Sequence, residues 1–378
     1  MTDKPPRLRP SASHIWTRCP GFVPLTERLP AFSRIETDPT REGTCAAWVA
    51  EVTLGGHVTR CSDMVGEAHV NGWVVDEAMA GYVQNYVDLL RDRYGDAVVA
   101  ERKFALTDDI AGTPDAHAVV QIGPTRWCLN VDDLKYGYDV VEPWDNTQVI
   151  IYAGAIARNT ALPAGHTFTQ VSLGIYQPRA FHTLGPYRTW QPTVEELSVR
   201  LAAIIEAGNA ALSPDALCIA GAHCRRCDAA SSCSAVAHEA YRAVSTMRNQ
   251  DQRPMTAREM ATELDFLELA ERVIKGRRDA VHAEAEARIA RGELIPGWTV
   301  ESGKGQRRWK FDATTVRLLT GIDPLGGKMV TPAELERRGA DKAVVKTLTE
   351  TPSTAPKLKR FSSHVAAGKF GDIPSGTR

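Results

Sequence analysis

The segment that decides the fold consists of three runs, GTPDAHAVV (112–120), LNVDDLKYGYDVV (129–141) and NTQVIIYAGA (146–155). The first two runs are rich in β-branched and apolar residues and are bounded by glycine or proline, which is typical of neighbouring strands. The third has apolar residues at helical spacing and predicts a helix over 146–158. Two strands followed by a helix indicate the centre of a mixed α/β core.

Strands and helices continue on both sides of this segment. Strand patterns cover 98–106, 116–122, 127–134 and 167–179, and helical patterns cover 42–54 and 76–94. A capping box formed by Thr193 and Glu196 predicts the start of another helix, which extends to about residue 211. The order of helix, several strands, helix and strand predicts an α/β fold with a mixed sheet flanked by helices.

The expected organisation has four parts. Residues 1–10 are rich in proline and arginine and predict a disordered N-terminus, and 11–240 hold the core and a group of cysteines. Good helix formers fill 255–292, which predicts a helical arm over 241–296, as one long helix or a helical hairpin. A small basic α+β module at 297–378 combines a hairpin at 298–311 with a helix at 313–320 and another after Thr331.

The composition is that of a folded protein, with 43% hydrophobic and 24% charged residues in 378. No run approaches the roughly 18 apolar residues of a membrane span, and the first residues lack the apolar centre of a secretory signal, so we expect a cytoplasmic protein without membrane contact. The net charge is −1, but residues 301–378 contain 15 Lys and Arg against 8 Asp and Glu. This basic part can meet phosphate, whereas the acidic remainder can hold cations.

Polar side chains in the central segment have the spacing of a cation site. Asp133 and Lys135 lie two apart on one strand and therefore share a face, and Asp115 precedes the neighbouring strand. Two carboxylates suit a hard cation such as Mg²⁺ or Mn²⁺. Gln148 and Tyr152 are one helical turn apart and can face the same place. Each residue alone is typical of a turn or a solvated surface, but the ordered set favours a functional site.

In this order the motifs resemble those of the PD-(D/E)XK nuclease superfamily, specifically its RecB-like branch, which also contains the CRISPR-adaptation nucleases. The chain is most similar to a phage-encoded family of unknown function in that branch, through SASHIWTRCPG, EGTCAAWVAE, GTPDA, DLKYG, QVIIYAGA, IYQPR, HCRRC, IPGW and RRW. The resemblance extends from Ser11 to the tail. It implies a restriction-endonuclease-like core in which Asp115 and Asp133 bind the metal, Lys135 orients the attacking water, and Gln148 and Tyr152 support the site.

The resemblance further implies a metal-dependent DNA nuclease, chiefly an exonuclease, in phage DNA recombination or replication inside a bacterial host. Phage recombination or single-strand-binding proteins are the expected protein partners. One departure bears on activity, because the RecB-like pattern has a histidine five residues after the Glu of EGT, where this chain has Ala47. Glu51, one turn further on, can replace that metal ligand, or a single metal can be held by the two aspartates. Alternatively, the chain is a DNA-binding recombination accessory protein with little or no cleavage.

Eight cysteines are expected to be reduced or metal-bound in such a compartment. Cys224, Cys227 and Cys233 have the spacing of ligands to zinc or an iron–sulfur cluster and leave one coordination place open. The resemblance places the fourth ligand before the first nuclease helix, at Cys19, and implies a 4Fe-4S cluster. The alternatives are zinc bound with Cys218, His223 or His238, or plain reduced thiols. Zinc would also suit a scaffold protein without DNA affinity. The other three cysteines, Cys45, Cys61 and Cys128, fit buried small hydrophobes.

Basic residues form four groups along the chain. They lie at 225–226, 275–278, 304–310 and 357–360, and Trp309 stands in the third group. Lys and Arg bind a nucleic-acid backbone without regard to sequence, and an aromatic ring can stack on an unpaired base. Each group alone suits a solvated face, but beside a phosphodiesterase site together they indicate a DNA track.

Overall fold

The computed structural model describes residues 6–29, 38–248, 256–304, 306–324 and 329–360. The chain forms two compact units that divide between Val281 and His282. The helices that begin in the first unit are α1 (Ser13–Trp16), α2 (Phe22–Arg28), α3 (Asp38–Leu54), α4 (Glu77–Tyr94), α5 (Thr147–Asn159), α6 (Val194–Ala211), α7 (Ser234–Arg248) and α8 (Ala257–Ala290). Its strands are β1 (Val98–Ala100), β2 (Phe104–Ala105), β3 (Ala111–Gly112), β4 (Ala116–Gln121), β5 (Arg126–Leu134), β6 (Thr167–Tyr176) and β7 (Tyr187–Trp190). Short 3₁₀ turns occur at Pro10–Ala12, Cys61–Met64, Gly95–Ala97 and Ala222–Arg226.

A five-stranded mixed sheet forms the centre of the first unit. The strand order is β1-β4-β5-β6-β7, with β5 and β6 parallel and the other neighbours antiparallel. The parallel pair is joined through α5, as the crossover between parallel strands requires. The predicted mixed α/β core is therefore confirmed, and β2 and β3 form a separate two-stranded pair.

Helices cover both faces of this sheet. On one face Leu129 and Val131 of β5 belong to a core that also contains residues of α1, α5 and α6. The opposite face carries a second core built from α3 and α4, to which Leu134 contributes. Because side chains alternate along a strand, Asp133 lies on the α5 face and Asp132 on the α4 face. The adjacent aspartates thus lie in different environments.

The observed elements depart from the sequence pattern at particular residues. The predicted strand at 98–106 is divided into β1 and β2, because Glu101 has φ of +46°, outside the extended region. The strand β6 ends at Tyr176 rather than at Arg179, and β7 was not predicted. The capping box of Thr193 and Glu196 is present as expected.

The N-terminal segment is ordered earlier than the sequence indicates. Residues 1–5 lie outside the described residues, whereas Leu8 is fully buried and its backbone N–H donates to the Asp109 carbonyl. A proline-rich composition predicts little regular structure, but it does not exclude burial of a single leucine against the core.

The helix α8 is continuous over 34 residues, which is the first of the two arrangements expected there. Its mean hydropathy is low, with charged residues throughout. Within the ranges given above, none of the helices combines the length and apolar character that crossing a bilayer requires.

The second unit contains β8 (Trp298–Lys304), β9 (Arg308–Trp309), α9 (Ala313–Thr320), α10 (Pro332–Arg337), α11 (Lys342–Thr347), β10 (Thr349–Glu350) and β11 (Ser353–Arg360). The predicted hairpin at 298–311 is wrong, because β8 pairs with β11 and β9 pairs with β10. Strand patterns reveal where strands lie but not which strands pair. The helices expected at 313–320 and after Thr331 are present.

Candidate active site

Asp133 and Lys135 lie at the carboxyl end of β5 on the face that α5 covers. The Lys135 Nζ is 2.6 Å from Asp133 Oδ2. The Asp133 residue is only 1% exposed, so its carboxylate requires partners. The strand therefore presents a buried ion pair, as the spacing of two residues predicts.

Asp115 joins this pair through the register of the sheet. Ala116, the first residue of β4, lies opposite Asp132, so the preceding residue lies beside Asp133. The backbone N–H of Leu134 donates to Asp115 Oδ2 at 2.7 Å. The interaction holds the second carboxylate against the strand that carries the first.

Gln148 connects the strand to α5. Asn146 caps the helix by accepting a hydrogen bond from the Gln148 backbone N–H, which fixes its first turn. The Gln148 amide donates to Asp133 Oδ1 (3.2 Å) and to the Tyr152 hydroxyl (3.3 Å), and its Oε1 accepts from Lys135 Nζ (3.1 Å). The five side chains chosen from the sequence therefore lie together in one place.

Two carboxyl groups share one ammonium at this place. Burial, together with the nearby Asp133 carboxylate, raises the pKa of Asp115, although Lys135 and the Leu134 N–H act in the opposite direction. Burial lowers the pKa of Lys135, but the two carboxylates outweigh it and the pKa is raised overall. Because its pKa is raised to about 8, Asp115 keeps its proton near neutral pH, and a divalent cation bound beside it would have to displace that proton.

Glu101 is a further acidic residue that the sequence analysis did not select. It follows β1, and its backbone N–H donates to the Asp115 carbonyl at 3.3 Å. Burial and the charges of Glu51 and Asp133 raise its pKa to about 7. Its backbone has a positive φ, which no pattern in the surrounding sequence indicates. A lone glutamate after a short strand therefore gives no signal until the fold is known.

The first nuclease helix expected from the resemblance corresponds to α3. Ala47 is half-buried, and Glu51, one turn later, is exposed. The charge of Glu51 helps to raise the pKa of Glu101, after burial. Glu51 therefore stays a candidate metal ligand near Glu101 rather than near Lys135.

The oxygen ligands present suit a hard divalent cation. Mg²⁺ commonly uses one or two carboxylates and completes its shell with water and substrate oxygens. Across the described parts of the chain, no three His, Cys, Asp or Glu side chains are arranged to hold a metal ion. Asp115 and Asp133 are the carboxylates that would supply protein oxygens to such a cation.

Asp132 belongs to a different network on the opposite face of β5. Its Oδ1 accepts a hydrogen bond from the Tyr187 hydroxyl at 2.7 Å, and burial raises its pKa to about 6. Gly174 on β6 leaves room for it, since a Cβ at that residue would lie 2.2 Å from Asp132 Oδ1. Asp132 is therefore a structural carboxylate and not a member of the candidate site.

Comparisons with known proteins identify the family. Residues 6–362 match the model of DUF2800, described as a protein of unknown function. The chain belongs to the DUF2800 family. Among solved structures it is similar to a candidate exonuclease from Eubacterium rectale, with 10% sequence identity and a TM-score of 0.32. That alignment covers 67% of the DUF2800 chain and 92% of the other.

A second group of reactive residues in the DUF2800 chain consists of five cysteines. Four of them are buried and Cys218 is half-buried. The members are Cys19, Cys218, Cys224, Cys227 and Cys233. The Cys218 thiol interacts with both Cys19 and Cys233, so the N-terminal cysteine meets the later group across about two hundred residues of sequence. The segments can approach because Gly21 has no Cβ, which would lie 2.4 Å from the Cys218 nitrogen.

The thiols lie in an environment that suits soft metal ligands. Backbone N–H groups of Ile219 and Gly221 donate to the sulfurs of Cys19 (3.4 Å) and Cys224 (3.3 Å). Burial and the neighbouring thiols raise the pKa of Cys218 to about 12. A bound metal ion reverses that effect because thiolate is the coordinating form. Thiolate is the ligand type of zinc and iron–sulfur sites, but within the described residues no three of these side chains are arranged to hold a metal ion.

The remaining cysteines and basic groups have varied surroundings. Cys45 and Cys61 are fully buried, as small hydrophobes are, and Cys128 is half-buried. In the first unit Arg277 donates to the Ala230 carbonyl and is therefore engaged within the protein. The two basic groups at 304–310 and 357–360 belong to the second unit. Within that unit Trp309 is half-buried and donates its indole N–H to Val330, so it is a packing residue.

Proposed function

We propose that this DUF2800 protein is a metal-dependent DNA nuclease of the PD-(D/E)XK type, with exonuclease action in phage DNA recombination or replication. The observation that carries the proposal is the meeting of Asp115, Asp133 and Lys135 at one edge of the sheet. A helix supplies Gln148 to the same group. Two carboxylates and one ammonium are the groups that phosphodiester hydrolysis requires beside a divalent cation.

Each residue has a role that follows from its position. Asp115 and Asp133 would hold Mg²⁺ or Mn²⁺, which when bound makes water a better nucleophile near neutral pH and offsets charge on the phosphate. Lys135 orients the attacking water and stabilises the negative charge that develops on the phosphate oxygens. Gln148 holds both members of the ion pair by one amide, and Tyr152 fixes that amide from the next turn.

The variant Asp115→Asn provides a sharp test. An asparagine oxygen can still accept the Leu134 hydrogen bond, so the fold should persist while one anionic ligand is lost. We expect at least about a hundredfold loss of Mn²⁺-dependent cleavage of linear DNA. The control is Asp108→Asn, which changes an exposed aspartate in a turn. Cleavage by Asp115→Asn at the wild-type rate, with unfolding curves unchanged, would refute the proposed role of this residue.

A second candidate function is DNA binding with little or no cleavage. Ala47 on α3 favours it, because alanine cannot supply the ligand that a histidine gives in the resembling nucleases. The same incubation separates the two functions. A binding protein shifts linear DNA in a gel without shortening it, whereas a nuclease shortens it only when divalent metal is present.

We further propose that Cys19, Cys224, Cys227 and Cys233 bind a 4Fe-4S cluster. The gathering of Cys19 with the thiols of residues 218–233 in a buried place supports this, and zinc with Cys218 as a ligand is the alternative. Anaerobic purification followed by metal analysis and a visible spectrum distinguishes them. Cys224→Ser should lose the brown colour and Cys218→Ser should retain it. A colourless protein with stoichiometric zinc would decide for the alternative, and a metal-free folded protein would overturn both.

A further inference from the structure

The loop that follows Lys135 is held rigidly at the rim of the candidate site. Gln177, which is fully buried, donates its side-chain amide to the carbonyls of Gly137 (2.9 Å) and Asp139 (2.8 Å). Its Oε1 accepts from the Val141 N–H at 3.0 Å. One side chain thereby fixes three residues of the loop, so groups attached to it have defined positions relative to Lys135.

Besides Arg188, which is buried and donates to the Val141 carbonyl at 2.8 Å, two guanidinium groups contact this loop, and the first is fully engaged within the protein. Arg179 lies 2.6 Å from a Glu42 carboxylate, and only 12% of its side chain is exposed. Its guanidinium carbon lies 4.5 Å and 4.2 Å from the ring centroids of Tyr136 and Tyr138. An arginine between two rings and a carboxylate has its donors and its faces occupied, so Arg179 stabilises the rim.

The second guanidinium belongs to Arg226 and is available. Its Nη2 is 3.3 Å from Asp139 Oδ2, and the two side chains are 56% and 70% exposed. An exposed pair at this distance is weak and exchanges readily with another anion. The pKa of Lys135 is lowered by burial and raised by Asp133 and Asp115, and the Arg226 charge lowers it slightly further. Arg226 therefore lies within electrostatic reach of the site.

Arg226 is carried by the cysteine segment. It ends the 3₁₀ turn Ala222–Arg226, between the buried residues Cys224 and Cys227. Because Cys224 and Cys227 are buried, they anchor the backbone on either side of the two exposed residues Arg225 and Arg226. The position of the guanidinium therefore depends on how the cysteines are packed.

We propose that Arg226 binds a backbone phosphate of the DNA strand, next to the phosphate that lies at Lys135. When DNA is absent, Asp139 holds the guanidinium in place. This inference rests on the proposed nuclease function. A guanidinium forms two parallel hydrogen bonds to a phosphate and is stronger there than beside a single exposed carboxylate. The cysteine segment is then part of the substrate site as well as a structural element.

The decisive experiment compares the direction in which two substitutions change DNA affinity. Under our proposal Arg226→Gln weakens binding of a fluorescein-labelled oligonucleotide, in EDTA at low salt, by about five- to tenfold, and reduces the salt slope by about one. Asp139→Asn removes a competing anion and tightens binding by about two- to threefold, and the gain disappears in the double variant. Arg272→Gln is the matched control, because it removes the same charge from an equally exposed ion pair, with Glu268, outside the four basic groups.

The outcomes are distinguishable. If Arg226 and Asp139 form only a structural pair, both single variants should change binding in the same direction, and Arg226→Gln should match Arg272→Gln. That result overturns the inference while the wild-type protein still binds and cuts DNA. If the wild-type full-length chain neither binds nor cuts DNA, the proposed function fails and the inference fails with it. Unfolding curves of each variant, measured beside the wild type, identify any effect that comes from lost folding.

Discussion

Replacing Glu101 by glutamine should make the protein more stable at alkaline pH and leave it nearly unchanged in mild acid. In the folded chain burial and the charges of Glu51 and Asp133 raise the pKa of Glu101 from 4.5 to about 7. The folded state therefore binds this proton more tightly than the unfolded state does. Stability from this group is fully present below about pH 4.5 and is lost as the pH rises through about 7.

The magnitude follows from the size of the change in proton affinity. Each tenfold change corresponds to about 1.4 kcal/mol, so ionising Glu101 in the folded chain costs at most about 3 kcal/mol. The residue is only half-buried and water screens part of this, so we expect about 1–2 kcal/mol. Glutamine has the same shape without the charge and avoids the cost. It should also ease ionisation of Asp115, whose pKa the Glu101 charge helps to raise.

Urea unfolding in EDTA at about pH 5 and about pH 8.5 measures the effect. The free energy of unfolding of Glu101→Gln should exceed that of the wild type by about 1–2 kcal/mol at the higher pH and by much less at the lower. The control Glu67→Gln removes an exposed carboxylate elsewhere and should show little dependence on pH. Equal differences at the two pH values would show that Glu101 is not held in an acidic, partly desolvated group.

Two further predictions concern packing and metal binding. Gly174→Ala should destabilise the fold by about 2–4 kcal/mol in urea unfolding, because its Cβ would collide with the buried Asp132 carboxylate and the Tyr187 ring. The control Gly81→Ala on α4, where nothing lies within 4 Å, should be neutral or stabilising. Equal effects of the two substitutions would contradict the argument. Millimolar Mn²⁺ should raise the melting temperature of the wild type more at about pH 8 than at about pH 5.5, because protons compete with the cation for raised carboxylates, and Asp115→Asn should lose most of that gain.

The spacing of residues along single elements was sufficient to predict much of this protein. Asp133 and Lys135 share a face because strand side chains alternate, and Gln148 and Tyr152 share one because a helix turns every 3.6 residues. The helix after Thr193 and the mixed α/β core follow from local patterns in the same way. The cysteine spacing indicated a cluster of thiols but did not determine which cysteines belong to it.

Pairing between distant segments was decided only by the tertiary structure. The second unit shows this, because β8 pairs with β11 some fifty residues away and not with its neighbour β9. Cys218 enters the thiol group through contacts with Cys19 that no spacing rule contains. Local patterns determine which face of a strand or helix a residue occupies. Which distant segment that face packs against depends on how all the apolar surfaces of the unit are buried together.

The candidate site divides in the same way. The sequence predicted Asp133, which lies on β5, and Asp115 and Lys135, which directly adjoin β4 and β5, because side-chain direction along a strand is set within a few residues. Glu101 came only from the fold, because its position depends on a left-handed backbone residue between two short strands. The placement of Arg226 beside the loop that follows Lys135 likewise depends on a contact with Asp139, 87 residues away in the chain, which forms only when the whole unit is packed.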